Sequence, residues 1–173
     1  MNNKFLLKSY IKSILKENKE YKTKMFVFDF DKTLYNSPEP DLDYKGPYWW
    51  NSKNSLQTLD HSLWIEDVVA EAMMACSNPE ILSVMCTARL NRPEVMFLVN
   101  KLLREKGLDF DKVFYKDTNL STAQYKAETI GMLLDAYPNV YEVQFWEDKQ
   151  ENLTATQEKC RQLGVDFIPH LVQ

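Results

Sequence analysis

A chain of 173 residues, 45% hydrophobic and 27% charged, is long enough to bury one substantial core and too apolar to be disordered. Its formal net charge of −4 excludes a whole-chain basic field of the kind that drives nonspecific duplex binding. Cys76, Cys86 and Cys160 form no Cys-x-x-Cys pair, and no apolar run approaches the ~20 residues of a membrane helix, so neither a disulfide framework nor membrane insertion is indicated. A reducing, cytoplasmic setting is expected.

Within the N-terminal segment 1–20, residues 4–18 place Phe5, Leu6, Leu7, Tyr10, Ile11, Ile14 and Leu15 at helical spacing, with lysines on the other face. This amphipathic helix is expected to pack on the domain or to mediate self-association, with a membrane-surface or targeting role as the alternative. A lysine-rich leader ending in Leu15-Lys16-Glu17 is also similar to the capsid-targeting propeptides of tailed phages.

From residue 24 to 173 short apolar runs alternate with helical stretches. Strands are predicted at 25–30, 81–86, 112–115, 140–146 and 165–168, and helices at 62–76, 92–106, 121–137 and 149–163. Asn91 with Glu94, and Ser121 with Gln124, have the spacing in which a side chain caps the first turn. Gly107 and Gly164 stand where helices should end. Such alternation predicts an α/β fold with a mostly parallel sheet covered on both faces and a ligand site at the carboxyl ends of its strands. Residues 36–61 break the pattern with three prolines and no sustained period, and are expected to form an irregular insertion over those strand ends.

The strand ends carry the chemistry. Asp29 and Asp31, two apart in a strand, are expected to project to the same side, where two carboxylates repel unless a divalent cation or solvent relieves them. Thr87 and Arg89 follow the second run with groups suited to a phosphoryl oxygen, and Glu147-Asp148 bring a second acidic pair to the same edge. Lys126 lies in the first turns of a helix, where a lysine is ordinarily a solvated charge. In the insertion, Tyr44, Tyr48, Trp49 and Trp50 cluster with Lys45 and Lys53, a composition that serves either to pack the insertion or to stack bases.

Taken together, Asp29-x-Asp31-x-Thr33, Thr87, Lys126 and Glu147-Asp148 resemble the four motifs of the haloacid dehalogenase (HAD) superfamily. The segments "FDFDKTLYNSP", Trp49-Trp50, "LSVMCTAR", "KGLDFDKVFYK" and "YPNVYEVQFWEDKQENL" are similar to the HAD domain of the Swiss Army Knife RNA-repair group. Lys32 departs from the superfamily, which commonly has glycine there, and Lys116 competes with Lys126 for the third motif. The resemblance implies a Rossmann-like three-layer α/β/α fold and a Mg²⁺-dependent phosphomonoesterase with an aspartyl-phosphate intermediate. It implies catalytic roles for Asp29, Asp31, Thr87 and Lys126, and metal binding by Asp29, Asp31, Glu147 and Asp148. Substrate contacts would come from Thr33, Arg89, Lys116, Trp49 and Trp50. The implied partners are RNA or DNA ends or nucleotides. A small-molecule phosphatase and a catalytically idle nucleic-acid-binding or virion-associated module are the alternatives. No glycine opens a GxxxxGK[ST] loop, so a kinase activity is not expected.

Overall fold

The computed structural model describes residues 21–40, 43–45, 49–56 and 60–173, so the helix expected at 4–18, Tyr48 and the Lys53 side chain lie outside the described residues. Five strands, β1 (Lys24–Phe28), β2 (Ile81–Leu90), β3 (Lys112–Lys116), β4 (Glu142–Glu147) and β5 (Asp166–Leu171), form one parallel sheet in the order β3-β2-β1-β4-β5. Between them lie α1 (Glu66–Ser77), α2 (Pro93–Lys106), α3 (Thr122–Ala136) and α4 (Gln150–Leu163). Alternate residues of β1 point to opposite faces, as the pleat requires. Phe26 and Phe28 pack under α1 and α2 with Val69, Ala72, Val99 and Leu102, while Met25 and Val27 pack under α3 and α4 with Ile130, Leu133, Leu153 and Cys160. Both faces are therefore covered, and the chain is a three-layer α/β/α sandwich. Among the described residues no helix is long and apolar enough to cross a membrane.

This order leaves β1 between β2 and β4, with the two halves of the chain running outward from it. Connections on either side depart in opposite directions at that point, which opens a crevice beyond the carboxyl ends of β1 and β4.

Local signals explain most boundaries. Ser121 Oγ accepts the Gln124 N–H while the Gln124 side chain accepts the Ser121 N–H, a complete capping box. Gly107 at φ 80° and Gly164 at φ 70° close α2 and α4 in the left-handed conformation. The cap expected at Asn91 is absent: α2 begins at Pro93 with Arg92 at the cap position, and the Asn91 N–H instead donates to the Lys116 carbonyl. Proline at the first helical position supplies its own start by fixing φ and lacking an N–H to satisfy. Strand β1 stops at Phe28, short of the expected 30, because residues 30–35 turn on bonds from the Leu34 and Tyr35 N–H groups to the Phe30 carbonyl. Conversely β2 runs on to Leu90, so Thr87 and Arg89 lie within it rather than beyond it.

Lys32 is the one non-glycine residue at positive φ among those described, at 59°. Its N–H donates to the Tyr35 carbonyl at 2.8 Å, so the turn imposes that conformation. A side chain held there costs about 1–2 kcal/mol relative to glycine.

Candidate active site

The register of β1 fixes the centre of the site. Phe28 pairs with Met85 on one side and Trp146 on the other, so Asp29 emerges between the ends of β2 and β4 and its N–H donates to the Trp146 carbonyl at 3.0 Å. Lys126, in the second turn of α3, reaches across with its Nζ 2.7 Å from Asp29 Oδ1 and 2.6 Å from Glu147 Oε2. Lys126 is 1% exposed and Glu147 fully buried, so this lysine is no solvated surface charge.

Two carboxylates around one ammonium leave an excess negative charge in dry surroundings. Burial pushes the Asp29 carboxyl well above the usual carboxylate range; Lys126 opposes that shift, and Glu147 and Asp31 reinforce it. Glu147 is raised as well, again by burial against the pull of Lys126. Burial alone would lower Lys126, but the two carboxylates outweigh it and hold the ammonium above its ordinary value.

Asp148 adds a third carboxylate, and oxygen atoms of Asp29, Glu147 and Asp148 lie within 4.8 Å of one another. Lys149 meets Asp148 only from the solvent side, at 3.1 Å with a side chain 65% exposed. Beside them the side-chain amide oxygen Oδ1 of Asn152, a residue in the first turn of α4 and 2% exposed, has no hydrogen-bond partner among the described residues. Clustered hard oxygens, uncompensated negative charge and an orphaned buried carbonyl form a donor set that fits a hard divalent cation. Sequence reading missed Asn152; its place five residues after Glu147, in the first turn of the helix that follows, is the signal that could have found it.

Asp31 sits in different company. β1 ends at Phe28, so the expectation that the two aspartates project from a strand is corrected: both follow it, yet both line the same cleft. Arg89 Nε and Nη2 donate to the Asp31 carboxylate at 2.9 and 2.7 Å, and Ser37 Oγ donates to it at 2.5 Å. Arg89 Nη1 meanwhile donates to the Trp50 carbonyl at 2.6 Å and to Ser55 Oγ at 2.7 Å. At 1% exposure Arg89 is neither a surface salt bridge nor free to clamp a substrate: it ties the insertion to Asp31. The Leu90 N–H reinforces the tie by donating to Asn51 Oδ1 at 2.7 Å. Replacing Arg89 with lysine keeps the charge and removes the planar fork, leaving buried acceptors short of donors. We expect Arg89→Lys to lower stability by about 1–3 kcal/mol in urea unfolding. A midpoint equal to that of the wild type would show that the fork is dispensable.

A cleft of about 600 Å³ opens over these residues, lined by Asp29, Asp31, Arg89, Lys126, Glu147, Asp148 and Asn152 below and by Lys32, Trp50, Lys116 and Lys149 nearer its mouth. A model of HAD domain family 1 in Swiss Army Knife RNA repair proteins matches residues 30–168. The chain belongs to this family. The match begins one residue after Asp29.

The uncharacterized protein YMR265C of Saccharomyces cerevisiae is 24% identical over 166 residues, covering 77% of this chain and 36% of its own length. A chain of the Pnkp1/Rnl/Hen1 complex superposes with a TM-score of 0.56 at 18% identity, over 87% of this chain and 47% of that one. The HAD domain of effector protein Lem4 from Legionella pneumophila superposes with a TM-score of 0.57 at 12% identity, over 88% and 89%. The chain thus spans about a third of the yeast relative and less than half of the repair-complex chain.

Against the HAD motifs, Asp29, Asp31, Lys126, Glu147 and Asp148 all meet in one cleft. Lys126 rather than Lys116 contacts the Asp29 carboxylate, while Lys116 lines the cleft with no ion-pair partner among the described residues. Thr87 and Thr33 are fully buried behind the HAD cleft rather than lining it. The Thr87 hydroxyl accepts the Arg89 N–H at 3.2 Å, and Thr33 Oγ1 has no hydrogen-bond partner among the described residues. In the insertion the paired tryptophans separate. Trp50 lines the cleft, whereas Trp49 packs edge-on against Tyr44 and donates to the Pro38 carbonyl at 2.8 Å.

Proposed function

We propose that this HAD domain is a Mg²⁺-dependent phosphomonoesterase in which Asp29 is the nucleophile. The observation that carries the reading is the buried Asp29–Lys126–Glu147 cluster at the carboxyl ends of the two central strands, open to a cleft large enough for a phosphorylated ligand. Asp29 attacks phosphorus, the bond to the leaving oxygen breaks, and an aspartyl-phosphate forms. Water then attacks that phosphorus, the Asp29 ester bond breaks, and inorganic phosphate leaves.

Lys126 holds the nucleophile in place and faces the charge that builds on the phosphoryl oxygens. Asp31 serves as the acid/base group. Held by the Arg89 guanidinium, it gives a proton to the leaving oxygen in the first half of the reaction and takes one from the attacking water in the second. Asp29, Glu147, Asp148 and Asn152 Oδ1 would hold Mg²⁺, which would supply positive charge opposite the phosphate and the carboxylates. Thr87 acts behind the cleft by fixing the Arg89 backbone.

Nucleic-acid ends or nucleotides head the substrate list. Support comes from the family description and from Trp50, an aromatic face at the cleft mouth beside lysines. The decisive test is phosphate release from 3′-phosphorylated RNA, 3′-phosphorylated DNA, nucleotides and an aryl phosphate, with Mg²⁺ or EDTA. Release is expected with Mg²⁺ and is expected to fall to background with EDTA. Release that persists at the same rate in EDTA would refute the metal assignment, and none from any substrate would favour an idle binding module.

A further inference from the structure

The turn that follows Asp29 and Asp31 forces left-handed backbone on residue 32, where glycine would sit without strain, yet the chain places a lysine there. Its ammonium does not leave the site. Nζ lies 3.1 Å from Asn36 Oδ1, 3.3 Å from Glu39 Oε1 and 6.0 Å from the centre of the Trp50 ring, and the residue lines the cleft. The Glu39 carboxylate is 66% exposed, so this pair is weak and readily exchanged for another anion. Deeper in the cleft Lys126 is committed to two buried carboxylates, and of the three lysines nearer the mouth Lys149 is paired with Asp148, a carboxylate of the acidic cluster, while Lys32 and Lys116 stand apart from that cluster.

We propose that Lys32 is a specificity-determining residue that binds a second phosphate of the substrate, exchanging Glu39 for it while the scissile phosphate sits at Asp29. This rests on the phosphatase reading above and extends it: the preferred substrate carries two phosphates, and Lys32 contacts the one that is not cleaved.

The test compares adenosine 3′-monophosphate, adenosine 3′,5′-bisphosphate and a 3′-phosphorylated dinucleotide, the last two separating a terminal second phosphate from a diester one. Wild type, Lys32→Gly and Lys32→Arg are assayed for turnover, and each substitution is also combined with Asp29→Asn for equilibrium binding. Lys32→Gly relaxes the turn, so its thermal midpoint should be no lower than that of wild type. Its kcat/KM should fall about tenfold further on the doubly phosphorylated substrates than on the monophosphate, through KM, with Lys32→Arg restoring most of the difference. That excess should vanish in 1 M salt. Equal losses on all three substrates would overturn the assignment. If no substrate is turned over, the phosphatase reading fails by itself, and binding decides the subsite: tighter binding of two phosphates than one, lost in Lys32→Gly, sustains it, and equal binding refutes it.

Discussion

Asp29→Asn is expected to reduce phosphate release by at least about three orders of magnitude while leaving the protein folded, because removing a nucleophile eliminates a covalent route that neighbouring groups cannot replace. Burial holds the Asp29 carboxyl well above its ordinary value, with Lys126 opposing and Glu147 and Asp31 reinforcing. The folded protein therefore binds that proton more tightly than the unfolded chain, whose aspartates titrate near about 4. The charged carboxylate imposes no penalty below that pH and a growing one as pH rises toward the native value. Asparagine carries no such penalty. Urea unfolding should show Asp29→Asn at least as stable as wild type at pH 7 to 8, with the advantage gone at pH 4. Activity surviving the substitution would refute the nucleophile; a collapse of stability at pH 8 would show that Asp29 is chiefly a structural partner of Lys126.

Lys126→Met should produce the largest loss of stability. Asp29 and Glu147 approach this ammonium at 2.7 and 2.6 Å with all three side chains buried, and without it two buried carboxylates face each other. Removing one partner from a buried charge cluster costs about 3–5 kcal/mol. The orphaned carboxyls would bind protons more tightly in the folded state, so the deficit should be greatest at pH 8 and shrink as pH falls toward 5. Lys126 itself makes no contribution to pH dependence in that window. Its own value is raised, so the stability it supplies is intact below about 10.5 and is lost only in stronger alkali. Adding Glu147→Gln to Lys126→Met should recover part of the loss. Midpoints within about 1 kcal/mol of wild type at both pH values would refute the buried-cation account.

Much of the fold is legible in the sequence because local chemistry and tertiary structure agree. The apolar runs at 81–86 and 140–146 belong to interior strands buried on both faces, and the Ser121 box and the two closing glycines operate without help from elsewhere. Disagreement arises where a distant partner decides. Thr87-Ala88-Arg89-Leu90 has no apolar pattern, yet it continues β2 because Asn51 satisfies the Leu90 N–H and Lys116 pairs beside it. At the edge, β5 extends through Pro169, which a strand with one free side tolerates. The site divides in the same way. Asp29, Glu147 and Asp148 are readable from their places at strand ends. The burial of Lys126 and the commitment of Arg89 to Asp31 depend on separations of 21 and 58 residues that no local pattern encodes.

Strand β2 runs on past the end of β1, its inner neighbour, and that surplus length is where the insertion is moored. The mooring pins are Arg89 and Leu90, and the other end of the Arg89 side chain grips Asp31. Roof and chemistry therefore share a single post. A lineage that exchanges this roof for another cannot treat it as a detachable part: whatever replaces residues 49–56 must also present acceptors for one guanidinium, or Asp31 loses its alignment along with the old roof.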